Sequence, residues 1–580
     1  MRAGPRLTLS LLLCTLVLAA NPARAQWHVD GAPVCTALGV QAFPAIVADG
    51  SGGVIIAWQD QRGSASYDVY AQHLFASGAP DPAWPADGRA ICTVINDQTN
   101  IQLVSDGAGG AILVWQDIRS FASFDIEAQH VLSSGALDPS WPAAGLAVCT
   151  ATDDQSFPQL VGDGAGGAIV TWMDARAGAP NYAIYAQHVL GSGAVDPAWP
   201  LNGRALSATA NDQEAPQIAA DGAGGAIVTW FDGRGADYDI YAQHVLATGA
   251  ADPVWPSDGR AVCTATSTQM SPMIAGDGSG GAIVTWNDGR TGEFDIYAQH
   301  VLGSGTVDPA WPLNGRALCT AIGDQRLPQL VSDGAHGAIV TWYDLRGADF
   351  DIYAQHVLAG GAVDPAWPAN GRGLCTATRN QMSPRIVGDG AGGAIVAWKD
   401  LRNGSDFDIY AQHVQAGGAI DPAWPADGRA LCTAIDDQDG QVIASDGAGG
   451  AVVAWFDGRG ESLDIYASRV SSSGALVDVA RGARPSRFDL GSPWPNPVGS
   501  HVVSIPITLA APSRVSMDVV DAGGRRVATL ARARELSAGS HSFAWDGLDD
   551  RRSRVSPGIY FVRAWSGTDR VTRRIAMLER

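Results

Sequence analysis

Lysine is nearly missing from this chain: Lys399 stands alone among 580 residues, and every other basic residue is an arginine. Acidic residues outnumber basic ones 59 to 38, for a formal net charge of −21. A chain so short of positive charge is not built for nucleic acid, whose phosphates need a cationic surface. Apolar runs are missing as well, apart from Leu7 to Ala20, which falls short of the roughly 20 residues that span a bilayer. That run follows Arg2 and Arg6 and precedes Ala23-Arg24-Ala25, the pattern of an export signal cut before Gln26. Residues 1–25 are therefore expected to be removed, and the mature chain to be extracellular or on the outer cell surface, with no transmembrane span. Cysteine is scarce too. Without Cys14 of the leader, seven remain, and an odd set cannot pair completely within one chain. They recur once per repeat, with Ser207 in the missing slot, which sets them too far apart for the ~7 Å Cα separation of a disulfide. They are read as small buried apolar residues.

What the chain has in quantity is repetition. The phrase Asp-Gly-x-Gly-Gly, followed by an apolar run and Trp, starts at Asp49, Asp106, Asp163, Asp221, Asp277, Asp333, Asp389 and Asp446, with His336 replacing one glycine. A second phrase, Trp-x-x-x-Gly-x-x-x-Cys-Thr, starts at Trp27 and returns about every 57 residues up to Trp424. Each copy holds four short runs of strand character, with period-two alternation and Gly-Asp turns between the first two. Four strands per repeat at this length predicts a β-propeller blade, and eight copies predict eight blades. The chain opens on a lone fourth strand, Trp27–Thr36, and its last copy stops after a third, Asp464–Val470. The two are expected to pair and close the ring, so that no edge is left open.

The order P-x-I-x-x-D-G-x-G-G-x-I-x-x-W-x-D-x-R, then D-I-Y-A-Q, resembles the blades of sialidase-type (BNR/Asp-box) propellers over residues 26–476. The Asp-box itself departs from that family, reading S-G-A-V-D-P-A-W, so catalytic identity does not carry over. The resemblance would imply three arginines on a substrate carboxylate, a Tyr with a partnering Glu, and an acid.

The residue types that could carry chemistry are mostly copied eight times. Asp60 and Arg62 follow Trp58, and Asp344 and Arg346 follow Trp342. Such pairs either ring one face with charge or pin each loop through an Arg–carboxylate fork, and repetition favours the second. Asp351 and His356 lie in the repeated D-I-Y-A-Q-H phrase, and seven equivalent histidines do not converge on a metal. No cofactor is expected, and calcium has no ligand pattern behind it. A unique site should sit where the symmetry breaks: Glu127 for the usual Tyr, Ala183 for Asp, His336 for Gly, and Glu214, Arg326, Arg379 and Arg385 near the entry to first strands.

The last hundred residues differ in charge. Residues 481–580 hold 16 Arg against nine acidic residues, which leaves about −28 on residues 1–480. Residues 477–490 read as a linker, and 491–580 as short alternating strands of a small β-sandwich. The words Asn496-Pro497, Val519-Val520-Asp521-Ala522-Gly523-Gly524-Arg525, Ala538-Gly539-x-His541, Trp545-Asp546-Gly547 and Pro557-Gly558-x-Tyr560-Phe561 resemble FlgD-like immunoglobulin-type domains and the C-terminal sorting domains of type IX secretion substrates. The resemblance implies contact with secretion machinery and delivery or anchoring rather than catalysis. The sequence thus predicts an exported, monomeric, all-β protein that binds a glycan or a protein at the cell surface without catalysing a reaction. A sialidase-like hydrolase or lyase, and a structural surface protein without a soluble ligand, are the alternatives.

Overall fold

A computed structural model describes residues 27, 30–63, 66–178, 181–460, 462–476, 488–490, 503–509, 513–521, 524–536, 539–566 and 569–577. The expected leader and most of the expected linker lie outside these residues. The chain divides into two compact units, 1–479 and 480–580. Among the described residues there is no helix long and apolar enough to cross a membrane.

The first unit is all β. Eight antiparallel sheets follow one another, each with its strands side by side in chain order. A representative sheet holds Gln325–Ser332, Ala338–Asp344, Asp351–Val357 and Arg372–Cys375. The sheet that ends the series has three strands from the end of the unit, and its fourth is Ala32–Cys35 from the beginning. Ala32 pairs with Ala467, Pro33 with Tyr466 and Cys35 with Ile465, which lies within the two segments that the sequence paired.

Each second strand is buried along its whole length or nearly so, as in Ala338–Asp344, because a sheet packs against a neighbour on both faces. The apolar cores lie between successive sheets. Ile283, Ile296, Trp311 and Leu318 of one sheet pack on Val340, Trp342 and Val357 of the next. The last and first sheets share such a core as well, through Trp27, Val452 and Ile465 on one side and Val54 and Trp58 on the other. In every sheet the second-strand Trp is completely buried. Burying a side chain of that size contributes a few kcal/mol.

The first hairpin shows why its glycines recur. The backbone N–H groups of Ala335 and Gly337 donate to Asp333 Oδ1 at 2.6 and 2.8 Å. A Cβ on Gly337 would lie 2.4 Å from Asp333 Oδ2 and 2.5 Å from the Val357 carbonyl, so only glycine fits.

The second unit is a two-layer sandwich. One sheet is ordered Phe488–Leu490, Val503–Leu509, Gly539–Trp545; the other is Arg526–Leu536, Ser513–Asp521, Gly558–Ser566, Asp569–Met577. Its core includes Ile505, Ile507, Val519, Trp545 and Val562. Phe488–Leu490, which the sequence left in the linker, pairs with Ile507–Leu509 and so belongs to the sandwich.

Removing residues 27–36 uncovers the edge of Asp464–Val470 and strips Trp27, Ala32, Val34 and Cys35 from the core that holds Val452 and Ile465. The truncated chain is expected to melt lower and to self-associate; unchanged melting and a single monomer peak in light scattering would contradict the pairing.

Candidate functional site

Buried polar groups come first, because they separate scaffold from site. At the end of each second strand a fully buried Asp collects donors. Asp344 accepts the Trp342 indole N–H at 2.8 Å, the Arg346 backbone N–H at 2.9 Å, and a two-pronged guanidinium fork at 2.9 and 2.6 Å. Trp58, Asp60 and Arg62 repeat this geometry. The Arg346 guanidinium also reaches Asn370 O at 2.7 Å and Cys319 Sγ of the preceding sheet at 3.2 Å, and it lies 3.7 Å over the Tyr353 ring. Each cluster therefore ties one sheet to the next. Where a cysteine is replaced by Ser207, Arg234 reaches the hydroxyl instead. Among the described residues all seven cysteines are free and buried, and burial pushes their thiols up to about 12, or about 11 for Cys92.

At the opposite end of each sheet the repeated histidine bridges two carboxylates. His356 Nε2 lies 2.9 Å from Asp333 Oδ2 and Nδ1 lies 2.9 Å from Asp364 Oδ2. The sequence indicated a packed histidine but gave no sign of these two partners, which lie 23 residues before it and 8 after it. In the eighth sheet Arg469 takes the place of histidine and forks onto Asp446 Oδ2.

The symmetry-breaking residues do not form one group. Glu127 is buried within its third strand, 3.6 Å from Arg119, in the place where other copies stack Tyr on Arg. At 4% exposure it belongs to the scaffold and not to a ligand face, and burial pushes its carboxyl up to about 7 despite that arginine. Arg379 lies in the loop before a first strand, its backbone N–H on Asp349 and its guanidinium by the Gly404 carbonyl. Arg326 pairs with Asp324 at 2.8 Å and covers the Phe294 ring at 4.6 Å. Glu214 accepts the Tyr238 hydroxyl at 3.4 Å. Burial, and then Asp212, push the Glu214 carboxyl upward; burial, and then Glu214, push the Tyr238 phenol upward. A phenol held in its protonated form is the reverse of an activated nucleophile. The three arginines that a sialidase-type reading needs each have different surroundings.

Arg385 is different. It lines a cavity of about 580 Å³ to which the fifth residue of every first strand contributes. From Ala45 to Val442 that position reads Ala, Gln, Gln, Gln, Met, Gln, Arg and Val. The Arg385 side chain is exposed where it lines the cavity, and the protein around it lowers its pKa. It stays a cation, as arginine does throughout the physiological range.

The copies diverge at the mouth of this cavity. The second residue of the first strand runs Ala, Thr, Ser, Glu, Met, Arg, Met and Asp from Ala42 to Asp439. The third runs Phe, Asn, Phe, Ala, Ser, Leu, Ser and Gly from Phe43 to Gly440, each with positive φ at a register shift. The facing residue of the second strand runs Gln, Gln, Met, Phe, Asn, Tyr, Lys and Phe from Gln59 to Phe456. Deeper in the strand the copies return to Ile or Leu, from Ile46 to Ile443. At the mouth, Phe43 and Phe157 are 55% and 53% exposed, Lys399 pairs with Asp439 at 2.7 Å, and Gln116 accepts from Asn100 and from the Phe157 N–H. Glu214, Arg326 and Arg385 belong to this variable end. The phenylalanines and the glutamines were not singled out from the sequence, although aligning the eight copies column by column would have exposed them.

Comparison with known proteins gives one family match: residues 498–569 match the FlgD Ig-like domain. No curated protein matches the sequence. Similar solved structures include a polysaccharide lyase, the PL25 ulvan lyase bound to a GlcA(1-4)Rha3S chain, at 10% identity over 71% of this chain and 98% of that one, with a TM-score of 0.42. An α-L-arabinanase of Penicillium chrysogenum aligns at 14% identity over 57% of this chain and 97% of that one, with a TM-score of 0.33. A protein of unknown function from Dyadobacter fermentans aligns at 9% identity over 77% and 98%, with a TM-score of 0.34. Likeness at these levels assigns no residue of this chain a role.

The scaffold carboxylates predict a pH dependence. Burial, and then a neighbouring carboxylate, push Asp68, Asp125, Asp239, Asp351 and Asp464 up to about 6 and Asp408 to about 7. Between about pH 4 and 6 the folded chain holds protons that the unfolded chain has released, so stability rises as pH falls through that window. Asp333 runs the other way: burial pushes it up, but bonds from His356, Ala335 and Gly337 outweigh burial and lower it, so its contribution is lost only as pH drops below about 4. The melting temperature is expected to be higher at about pH 5 than at about pH 8, with Asp351→Asn flattening the difference. Calorimetry at the two values checks this, and equal melting would contradict it.

Proposed function

We propose that residues 26–476 form an eight-bladed β-propeller closed by its N-terminal strand, and that the protein binds a glycan at the variable mouth of the shared cavity. Export through the leader and delivery or anchoring at the cell surface by the C-terminal unit belong to the same reading. The observation that carries the binding role is that the copies present unlike residues around one shared cavity. Eight copies keep one scaffold nearly residue for residue, yet differ at the mouth in size, charge and aromaticity. A ligand that meets each copy differently accounts for unlike residues around one shared opening. Exposed phenylalanines beside amide side chains offer an apolar face and paired donors and acceptors, the chemistry that a sugar presents in return.

A second reading, a polysaccharide-cleaving hydrolase or lyase, draws on Glu214 and Tyr238. A carboxyl pushed upward beside a phenol at the mouth could hand a proton to a departing glycosidic oxygen. The activities named for the ulvan lyase and the arabinanase belong to this reading.

The mature chain on a glycan array is expected to pick out a defined set of glycans. Phe43→Ala and Phe157→Ala together should weaken that binding about tenfold, in line with the loss of two exposed aromatic contacts. A blank array would overturn the glycan reading and turn attention to protein partners. The bound glycans then serve as substrates: new reducing ends or unsaturated uronate, lost in Glu214→Gln, would establish the enzymatic reading.

A further inference from the structure

We infer that the shared cavity is a subsite for a single anionic group, a carboxylate or a sulfate ester, carried at the end of a glycan and met by Arg385. This deepens the binding reading above and rests on it.

Arg385 is the only charged residue among the eight equivalent first-strand positions that line the cavity. Four of the others are Gln, and the remaining three are Ala45, Met273 and Val442. Many other arginines of this unit are held by the fold, as Arg346 is by Asp344 and Arg326 by Asp324, although among the described residues the Arg429 Nε is buried without a partner. The Arg385 side chain makes no hydrogen bond and no ion pair among the described residues. A guanidinium has five donors in a planar fork that matches a carboxylate or sulfate. An entering anion would give it the partner that the fold does not supply.

The body of the ligand is indicated by the surroundings. The side chains of Gln102, Gln159 and Gln217 line the same cavity and make no hydrogen bonds among the described residues. Each offers donors and an acceptor, which suits hydroxyl groups that need both. The cavity, at about 580 Å³, falls within the roughly 300–1,000 Å³ of small-ligand sites.

Charge limits how many anionic groups the ligand carries. Residues 1–480 hold about −28, and a chain bearing a charge on every sugar would be repelled before it reached the mouth. One anionic group entering end-on meets Arg385 and leaves its neutral remainder at the acidic surface. The geometry therefore selects a singly charged end rather than a polyanion.

Arg385→Gln tests this cleanly, because Gln102, Gln159, Gln217 and Gln329 already occupy the equivalent positions and the variant keeps the fold. Calorimetric titrations of the mature chain would use three oligosaccharides: one ending in a uronate, one ending in a sulfate ester, and their neutral parent. The wild type is expected to bind one or both acidic ends at least tenfold more tightly than the parent, and which of the two identifies the anion. Arg385→Gln should lose that advantage, its affinity for the acidic ends falling at least tenfold further than its affinity for the parent. Equal binding of the acidic ends by variant and wild type would overturn the inference. Binding of the neutral parent with no acidic preference would overturn it while leaving the glycan reading intact. Failure of all three, together with a blank array, would remove both.

Discussion

Everything in the first unit hangs on a carboxylate that water never reaches. A buried anion is tolerable only when its lone pairs are met, and Asp344 is met by an indole, a backbone amide and both prongs of a guanidinium. Because that guanidinium also touches the thiol of the preceding sheet and the turn of its own fourth strand, satisfying the charge and spacing the sheets are one act. The apolar seams then fill around a distance already set. At the other end, His356 between Asp333 and Asp364 fastens the first hairpin to the loop that follows the third strand. A sheet is thus clamped at both ends by polar groups and filled between by Trp342, Ile339 and Val340.

This arrangement explains why so much could be read from the letters. Period-two alternation, Asp-Gly turns and a repeat of about 57 residues are local features, and local features specify strands and their order. The pairing of Ala32–Cys35 with the far end followed from counting strands rather than from chemistry. The site was harder, because it depends on equivalent positions in separate copies converging on one space. Arg385 stood out in the sequence only as an arginine near a strand entry. That its seven counterparts line the same cavity, that four of them are amides, and that nothing neutralises it are facts of three dimensions. Glu127 misled for the complementary reason. It broke the pattern just as visibly, but its partner Arg119 was part of the scaffold, and a carboxylate had simply replaced a ring as the arginine's companion. Departure from a repeat marks a site only where the departing side chain faces open space.

The two ends of each sheet therefore live under different constraints. The hairpin end, with Asp333, Gly337 and His356, is fixed by backbone amides and close approaches that admit few substitutions. The mouth end carries its variation on residues such as Phe43 and Leu327, which sit in left-handed turns with exposed side chains, Phe43 edge-on to Phe456 of the adjoining sheet. A series of near-identical units can in this way present eight unlike surfaces at one opening without disturbing what holds the units together.

The strand Ala32–Cys35 carries a consequence for how the molecule comes into being. It cannot pair until Ile465 and Ala467 emerge, more than 400 residues later. Contacts so distant in sequence form slowly, because the loop between them must close first. Through that interval the strand waits without its partner, and an unpaired strand is an invitation to join the wrong neighbour. Four residues long and interrupted by Pro33, it offers little for a stranger to grip. The seam that joins the last sheet to the start of the chain is thus also the one least able to form too early.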